Sequence, residues 1–245
     1  VSELLLLHGY SGHADDWAHV QQRLPAKAAH AEPILGHRGQ PEIESRSTTF
    51  EDEVDRLARR VGEMGLSAVH IAGYSLGARI ALGLLVRHPS LVTRATLIGV
   101  RPGLATEAER SARRRSDRAW IELLRHEGIA RFADAWESQP LLVPVSEVPA
   151  EVIGSTRERR RRHHPEGLAL AMEVLGLGAM PDYWPALSTV RIPVTLVHGE
   201  RDPGFGVIAG EMAAQMESAR VRRVPHAGHN VVLESPHAIA EILLT

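Results

Sequence analysis

The sequence predicts an α/β fold with a mostly parallel central sheet flanked by helices and a helical cap inserted into it. Three observations lead there. Short apolar runs alternate with helical patterns, the order expected of βαβ units. One such run passes straight into Gly73-Tyr74-Ser75-Leu76-Gly77 and then into a helix. The stretch from Arg101 to Pro185 interrupts the alternation with helix-like sequence alone. A chain of 245 residues fits one domain of this class, so residues 1–245 are read as one domain and 101–185 as its cap insertion.

The elements follow in chain order. Leu4–Leu7 is short and wholly apolar, as a strand buried on both faces requires. A weaker strand candidate lies at Ala29–Leu35. Phe50, Val54, Leu57, Val61 and Met64 recur at three- and four-residue steps and form one buried helical stripe. Val69–Ala72 is the next strand, and Ala78–Val86 is apolar nearly all round, as expected of a helix covered by other elements. Ala95–Val100, Val194–Val197 and, less sharply, Arg220–Val224 complete the strands. Ile239, Ile242 and Leu243 mark a closing helix. The Arg101–Pro185 stretch reads as several short helices and holds thirteen arginines against thirteen acidic residues. Its charge is clustered: Arg110, Arg113, Arg114, Arg115 and Arg118 have only Asp117 among them, and Arg157 to Arg162 contains only Glu158.

Composition narrows the function classes. Hydrophobic residues make up 44% and charged residues 24%, which excludes a disordered tail, a collagen-like repeat or a coiled coil. Without cysteine there is no disulfide, no thiol nucleophile and no Cys-ligated metal, and neither a metal nor a cofactor is expected. A net charge of -2 argues against a nucleic-acid partner. No apolar run approaches the ~20 residues that span a bilayer. Leu4–Leu7 is too short for a signal-peptide core, so a cytoplasmic protein without membrane insertion is expected. Of 28 basic residues only Lys27 is lysine, so nearly every cation is a planar guanidinium.

Gly73-Tyr74-Ser75-Leu76-Gly77 is the most informative segment. A sharp strand-to-helix turn lifts the Ser75 hydroxyl clear of the backbone, the glycines keep the turn free of clashes, and the helix N-terminus offers N–H groups to an anion. Such a serine needs a histidine, and the histidine a carboxylate to orient it. Asp202 follows one strand and His229 another, just past the C-terminal ends where parallel-sheet sites assemble. Asp202 is preferred to Glu200 for its Gly-x-x-Asp turn, and His229 to His226 for its Gly-His context. The order Ser, acid, His is that of the α/β-hydrolase fold. There the loop after the first strand, here His8-Gly9-Tyr10-Ser11-Gly12, supplies one oxyanion-hole N–H from Tyr10, and Leu76 supplies the second. Gly36-His37-Arg38-Gly39 is read as a structural loop.

The elbow Gly73 to Arg79 resembles that of the 2-succinyl-6-hydroxy-2,4-cyclohexadiene-1-carboxylate synthase family of menaquinone biosynthesis. The resemblance continues through Pro102-Gly103-Leu104, Glu109-Arg110, Arg113 with Ser116-Asp117-Arg118, Phe132-Ala133-Asp134, Trp136, Gln139-Pro140, Gly199-Glu200-Arg201-Asp202 with Phe205, and Ala227-Gly228-His229-Asn230. It implies a lyase that eliminates pyruvate from an enolpyruvyl cyclohexene polycarboxylate. It also implies Ser75, Asp202 and His229 as catalytic residues, with Tyr74, Arg79, Arg113, Trp136 and Arg157 around the substrate. Arg79, four residues after Ser75 on the same helix, would face the same side, and guanidinium forks suit carboxylates. Arg160 and Arg161 read as a solvated face. The chain departs from the family pattern at Pro33-Ile34-Leu35-Gly36-His37-Arg38 and at Glu137, where an aromatic residue is usual. A carboxylic-ester or thioester hydrolase with the same triad is the alternative, and a non-catalytic binding protein on this scaffold is a further one.

Overall fold

The computed structural model describes residues 3–25, 29–37 and 49–245, so Lys27 and the Arg38 and Gly39 of the second glycine loop lie outside the described residues. Its strands are β1 (Leu4–Leu7), β2 (Ala29–Glu32), β3 (Val69–Tyr74), β4 (Val92–Ile98), β5 (Val194–Gly199) and β6 (Ala219–Val224). They form one sheet in the order β2-β1-β3-β4-β5-β6, and every described pairing is parallel. Helices are α1 (Ala18–Gln21), α2 (Phe50–Glu63), α3 (Leu76–Arg87), α4 (Glu107–Glu137), α5 (Ala150–Arg161), α6 (Pro165–Leu175), α7 (Pro203–Ala213), α8 (Val231–Glu234) and α9 (Pro236–Leu244).

β1 shows why a run of four leucines makes a central strand. Successive side chains point to opposite faces, so Leu5 and Leu7 join one core and Leu4 and Leu6 the other. The first core contains Phe50, Val54, Leu57 and Val61 of α2, Ile80 and Leu84 of α3, and Met212 of α7. The second takes Val20 of α1, Val232 of α8, and Ile239 and Leu243 of α9. Each fully buried leucine is worth about 1.5–3 kcal/mol, so both faces must be covered for such a strand to pay its way. Thr49 starts α2 with a capping box, its hydroxyl accepting from Asp52 N–H while the Asp52 carboxylate accepts from Thr49 N–H.

Between β4 and β5 lie α4, α5 and α6, the inserted helical region. It has its own core of Ile121, Leu124, Phe132, Leu168 and Met172. Helix α4 is not straight. Gly128 stands at φ 78, ψ 179, and the chain folds back there. Trp120 and Trp136 would be about 24 Å apart along an unbroken helix, yet their ring centroids are 5.0 Å apart. Register brings the C-terminal ends of the strands together: Leu7 opposes Gly73, Tyr74 opposes Ile98, and Gly199 opposes Val224. The loops beyond these ends open toward the cap and carry the site.

Candidate active site

Ser75 joins β3 to α3 at φ 51, ψ -107, a left-handed conformation that costs a non-glycine residue about 1–3 kcal/mol. Its N–H donates to the Ile98 carbonyl at 2.8 Å, which pins the turn to β4. The turn is so tight that a Cβ on Gly73 would lie 2.4 Å from the Gly77 carbonyl oxygen, and one on Gly77 would lie 2.3 Å from that of Leu7. Both glycines are therefore required by close backbone approach.

His229, in the loop after β6, places Nε2 3.3 Å from Ser75 Oγ. Its Nδ1–H donates to Asp202 Oδ2 at 2.7 Å. Asp202 caps the start of α7 beyond β5. Both side chains are buried, and the Phe205 and Tyr74 rings lie 4.4 and 5.5 Å from the imidazole. Gly99 backs the imidazole on its other side, where a Cβ would come within 2.8 Å of Cε1. The arrangement fixes the imidazole tautomer and lets Nε2 take a proton from the serine hydroxyl. The residues passed over in the sequence lie elsewhere: His226 is exposed, and its N–H donates to the Glu200 carboxylate at 3.0 Å.

Leu76 follows Ser75 directly, and the loop that holds Tyr10 passes close to it. A Cβ on Gly9 would sit 3.7 Å from that of Ser75, so the Gly9–Tyr10 backbone runs beside the serine. Leu76 is the first residue of α3 and has no carbonyl a turn earlier to accept from its N–H. The Tyr10 side chain leaves the loop for the cap, where its hydroxyl donates to the Leu168 carbonyl at 2.9 Å and its ring meets Trp136 at 5.0 Å. Burial pushes the Tyr10 phenol well up, so it stays a neutral donor.

A cavity of about 400 Å³ opens on Ser75 and His229. Arg79, Arg101 and Arg113 line it against a single carboxylate, Asp117. Trp120, Trp136, Gln139, Leu142 and Phe205 supply much of the remaining wall. Arg79 donates to the Leu175 carbonyl at 2.8 Å, and burial lowers its pKa, with Arg113 adding to that and Asp117 opposing it. Arg113 Nε donates to Asp117 Oδ1 at 2.7 Å. A smaller chamber of about 60 Å³ lies behind Tyr10, Trp136 and Leu142, and Tyr74 and Arg160 line it. Burial pushes the Tyr74 phenol up as well.

Thus Ser75, Asp202, His229, Tyr10, Leu76, Arg79, Arg113 and Trp136 converge, and Tyr74 stands one layer behind. Arg157 does not converge with them. It lies outside both chambers, its side chain 48% exposed and its Nε donating to Glu137 Oε2 at 2.6 Å. One helical turn on, Arg160 takes the inward position expected of Arg157. It is only 14% exposed and donates to Glu137 Oε1 at 2.7 Å and to Ser11 Oγ at 3.0 Å. The physical reason is Glu137, whose carboxylate binds both guanidiniums and leaves Arg157 on its outer side.

Sequence reasoning also missed Arg101 and Glu234. Arg101 stands three residues past the end of β4, the same post-strand setting that singled out Asp202 and His229. Glu234 Oε2 accepts from Gly228 N–H at 3.1 Å, from Val145 and Ser146 N–H at 3.1 Å each, and from Ser146 Oγ at 2.9 Å. Arg201, next to Asp202, donates to the Val145 carbonyl at 2.9 Å. The strap between α4 and α5 is thereby tied to both loops that carry the acid and the histidine. Among the described residues, no group of three or more His, Asp or Glu gathers to hold a metal, and no helix is long and apolar enough to cross a membrane.

The family model described as "Alpha/beta hydrolase family" matches residues 4–242. A 2-succinyl-6-hydroxy-2,4-cyclohexadiene-1-carboxylate synthase from Enterobacter sp. (strain 638) is 31% identical over 240 residues, which is 98% of this chain and 89% of that one. Among solved structures, "Structure of MenH from S. aureus" superposes with a TM-score of 0.92 at 25% identity, covering 99% of this chain and 92% of that one. A carboxylesterase structure from Nitrososphaera gargenis reaches a TM-score of 0.80 at 22% identity, with 99% and 89% covered, a likeness of fold alone.

Proposed function

The chain belongs to the alpha/beta hydrolase family and, within it, to the 2-succinyl-6-hydroxy-2,4-cyclohexadiene-1-carboxylate synthase family, and on that premise we propose that it is a lyase. Its reaction would be elimination of pyruvate from 2-succinyl-5-enolpyruvyl-6-hydroxy-3-cyclohexene-1-carboxylate in menaquinone biosynthesis. One observation carries the reading: the cavity on Ser75 and His229 holds three guanidiniums and one carboxylate. A polycarboxylate gains charge-assisted hydrogen bonds there, whereas a neutral ester would bring no counter-charge to the cations in excess of Asp117.

In this reading Ser75, its hydroxyl drawn toward His229 Nε2, removes a carbon-bound proton, and that proton passes to the imidazole. Asp202 stabilises the imidazolium. The electron pair left on the substrate is held as an oxyanion by the N–H groups of Tyr10 and Leu76. It then expels the enolpyruvyl oxygen with the electron pair of the broken C–O bond as the enolate of pyruvate, which becomes the ketone by taking up at carbon one proton, equivalent to the one the imidazole gained. Arg79 and Arg113 bind carboxylates, and the Trp120–Trp136 wall keeps water from the anion.

Turnover of the enolpyruvyl precursor tests it, with pyruvate followed by a coupled dehydrogenase and the diene by absorbance. Equal release of both is expected, and Ser75→Ala should lower kcat at least ~10³-fold without lowering Tm. Efficient aryl-ester hydrolysis with no pyruvate release would overturn the lyase in favour of an ester hydrolase.

A further inference from the structure

The cavity's third cation, Arg101, has no role in the assignments above. It lies on the loop after β4, and Gly99, two residues earlier, lines the same cavity as His229 and leaves no room for a Cβ beside the imidazole. Its neighbours have partners: Arg113 is paired with Asp117, and Arg79 donates to the Leu175 carbonyl. Among the described residues Arg101 has no hydrogen-bond or ion-pair partner: its Nε is buried without an acceptor, and its charge is felt by the exposed Glu109 only through space. A buried donor left unpaired is costly, so an unpaired guanidinium edge on the wall of a ligand cavity calls for an acceptor there.

We infer that Arg101 is a specificity-determining residue that binds a third carboxylate of the ligand beside the catalytic histidine. This deepens the polycarboxylate reading and rests on it. Three cations against one protein carboxylate leave the cavity two positive charges in excess, and Asp117 is already engaged by Arg113. Arg79 and Arg113 serve two carboxylates of a ligand, each through the donors that their protein partners leave free. Arg101 serves the third, with a fork whose Nε edge is already stripped of water. The site then counts anionic groups and takes a tricarboxylate in preference to the corresponding dicarboxylate.

Binding of cyclohexane-1,2,4-tricarboxylate and cyclohexane-1,2-dicarboxylate, followed by quenching of Trp120 and Trp136, tests this without turnover. The wild-type chain should bind the tricarboxylate at least tenfold more tightly. Arg101→Gln should shrink that ratio below threefold while leaving dicarboxylate affinity within twofold, and Arg101→Lys should restore part of the ratio. Equal losses for both ligands, or an unchanged ratio in Arg101→Gln at wild-type Tm, would overturn the role of Arg101 and leave the polycarboxylate reading standing. A wild-type chain indifferent to the number of carboxylates would overturn that reading and, with it, this inference.

Discussion

Two helical glycines with empty space around them should respond in opposite directions to the same substitution. A Cβ on Gly62, near the end of α2, or on Gly128, inside α4, would meet no atom within 4 Å. Neither change to alanine introduces a clash, so backbone conformation alone decides the sign. Gly62 has no positive φ, and alanine there should stabilise by about 0.5–1 kcal/mol through the unfolded chain and helix propensity. Gly128 stands at φ 78, ψ 179, in a region that is essentially glycine's own, and alanine there should cost about 2–3 kcal/mol. For a chain of this size each kcal/mol moves Tm by about 2–4 °C, so Gly62→Ala should gain about 2 °C and Gly128→Ala should lose roughly 4–12 °C. The loss should come with a change in tryptophan emission, because the bend at Gly128 is what brings Trp120 against Trp136. Thermal melts of both variants by circular dichroism, alongside emission spectra, check the pair. Gly128→Ala melting at or above wild type, with unaltered emission, would refute the idea that a fixed left-handed glycine folds the cap back on itself.

Two further predictions follow from the site. Arg160→Ala removes a largely buried cation bound to Ser11 and Glu137 beside the Tyr10 loop. It should lower kcat/KM by roughly tenfold or more, since a hydrogen bond to a charged group is worth about 1.5–3 kcal/mol. Arg157→Ala loses only an exposed pair and should stay within about threefold; similar losses at both positions would count against the inward placement of Arg160. Acid should weaken the fold through His8, His37 and His163, whose rings lie together with centroids 4.9 and 5.4 Å apart. Ile34 N–H donates to His8 Nε2 and Ser11 N–H to His37 Nε2, so protonation there would set N–H against N–H. Burial lowers His8 and His163 to about 4 and His37 well below its ordinary value. Because the folded values are depressed, stability is full above pH 6.5 and declines as pH falls toward 4. Between pH 7 and 5 the loss should be about 2 kcal/mol for each of His8 and His163. His163→Gln, which keeps a donor for the Gly12 carbonyl, should remove about one such share of the pH dependence in urea denaturation; an unchanged dependence would rule the cluster out as its source.

Much of the frame was legible because burial on both faces writes a simple pattern. The strand at Leu4–Leu7 is found where the apolar run lies, and the expected α2 stripe is buried at Phe50, Val54, Leu57 and Val61. β4 begins at Val92 rather than Ala95 because Thr93 and Arg94 break the apolar run while the backbone still pairs with β3. The weak strand at Ala29–Leu35 stops at Glu32. The residues at the elbow and past the strands were readable because a parallel sheet sends its strand ends to one edge. The cap was harder. Arg157 and Arg160 are three residues apart on a helix with almost no apolar stripe, so nothing in the sequence says which faces inward; Glu137 decides it in three dimensions. Gly128 is visible as a helix interruption, but the direction in which it sends Trp136 is set only by packing.

The four hydrogen bonds converging on Glu234 Oε2 make the strap and the histidine loop parts of one joint rather than a lid and a separate machine. Gly228 N–H and the strap's Val145 and Ser146 N–H groups share a single oxygen. A shift of the strap therefore loads the residue next to His229, and a shift of that residue loads the strap. Arg201 carries the same load to the residue beside Asp202. The strap, the residue before His229 and the residue before Asp202 are thus one hydrogen-bonded joint, and a displacement of any one of them is borne by the other two.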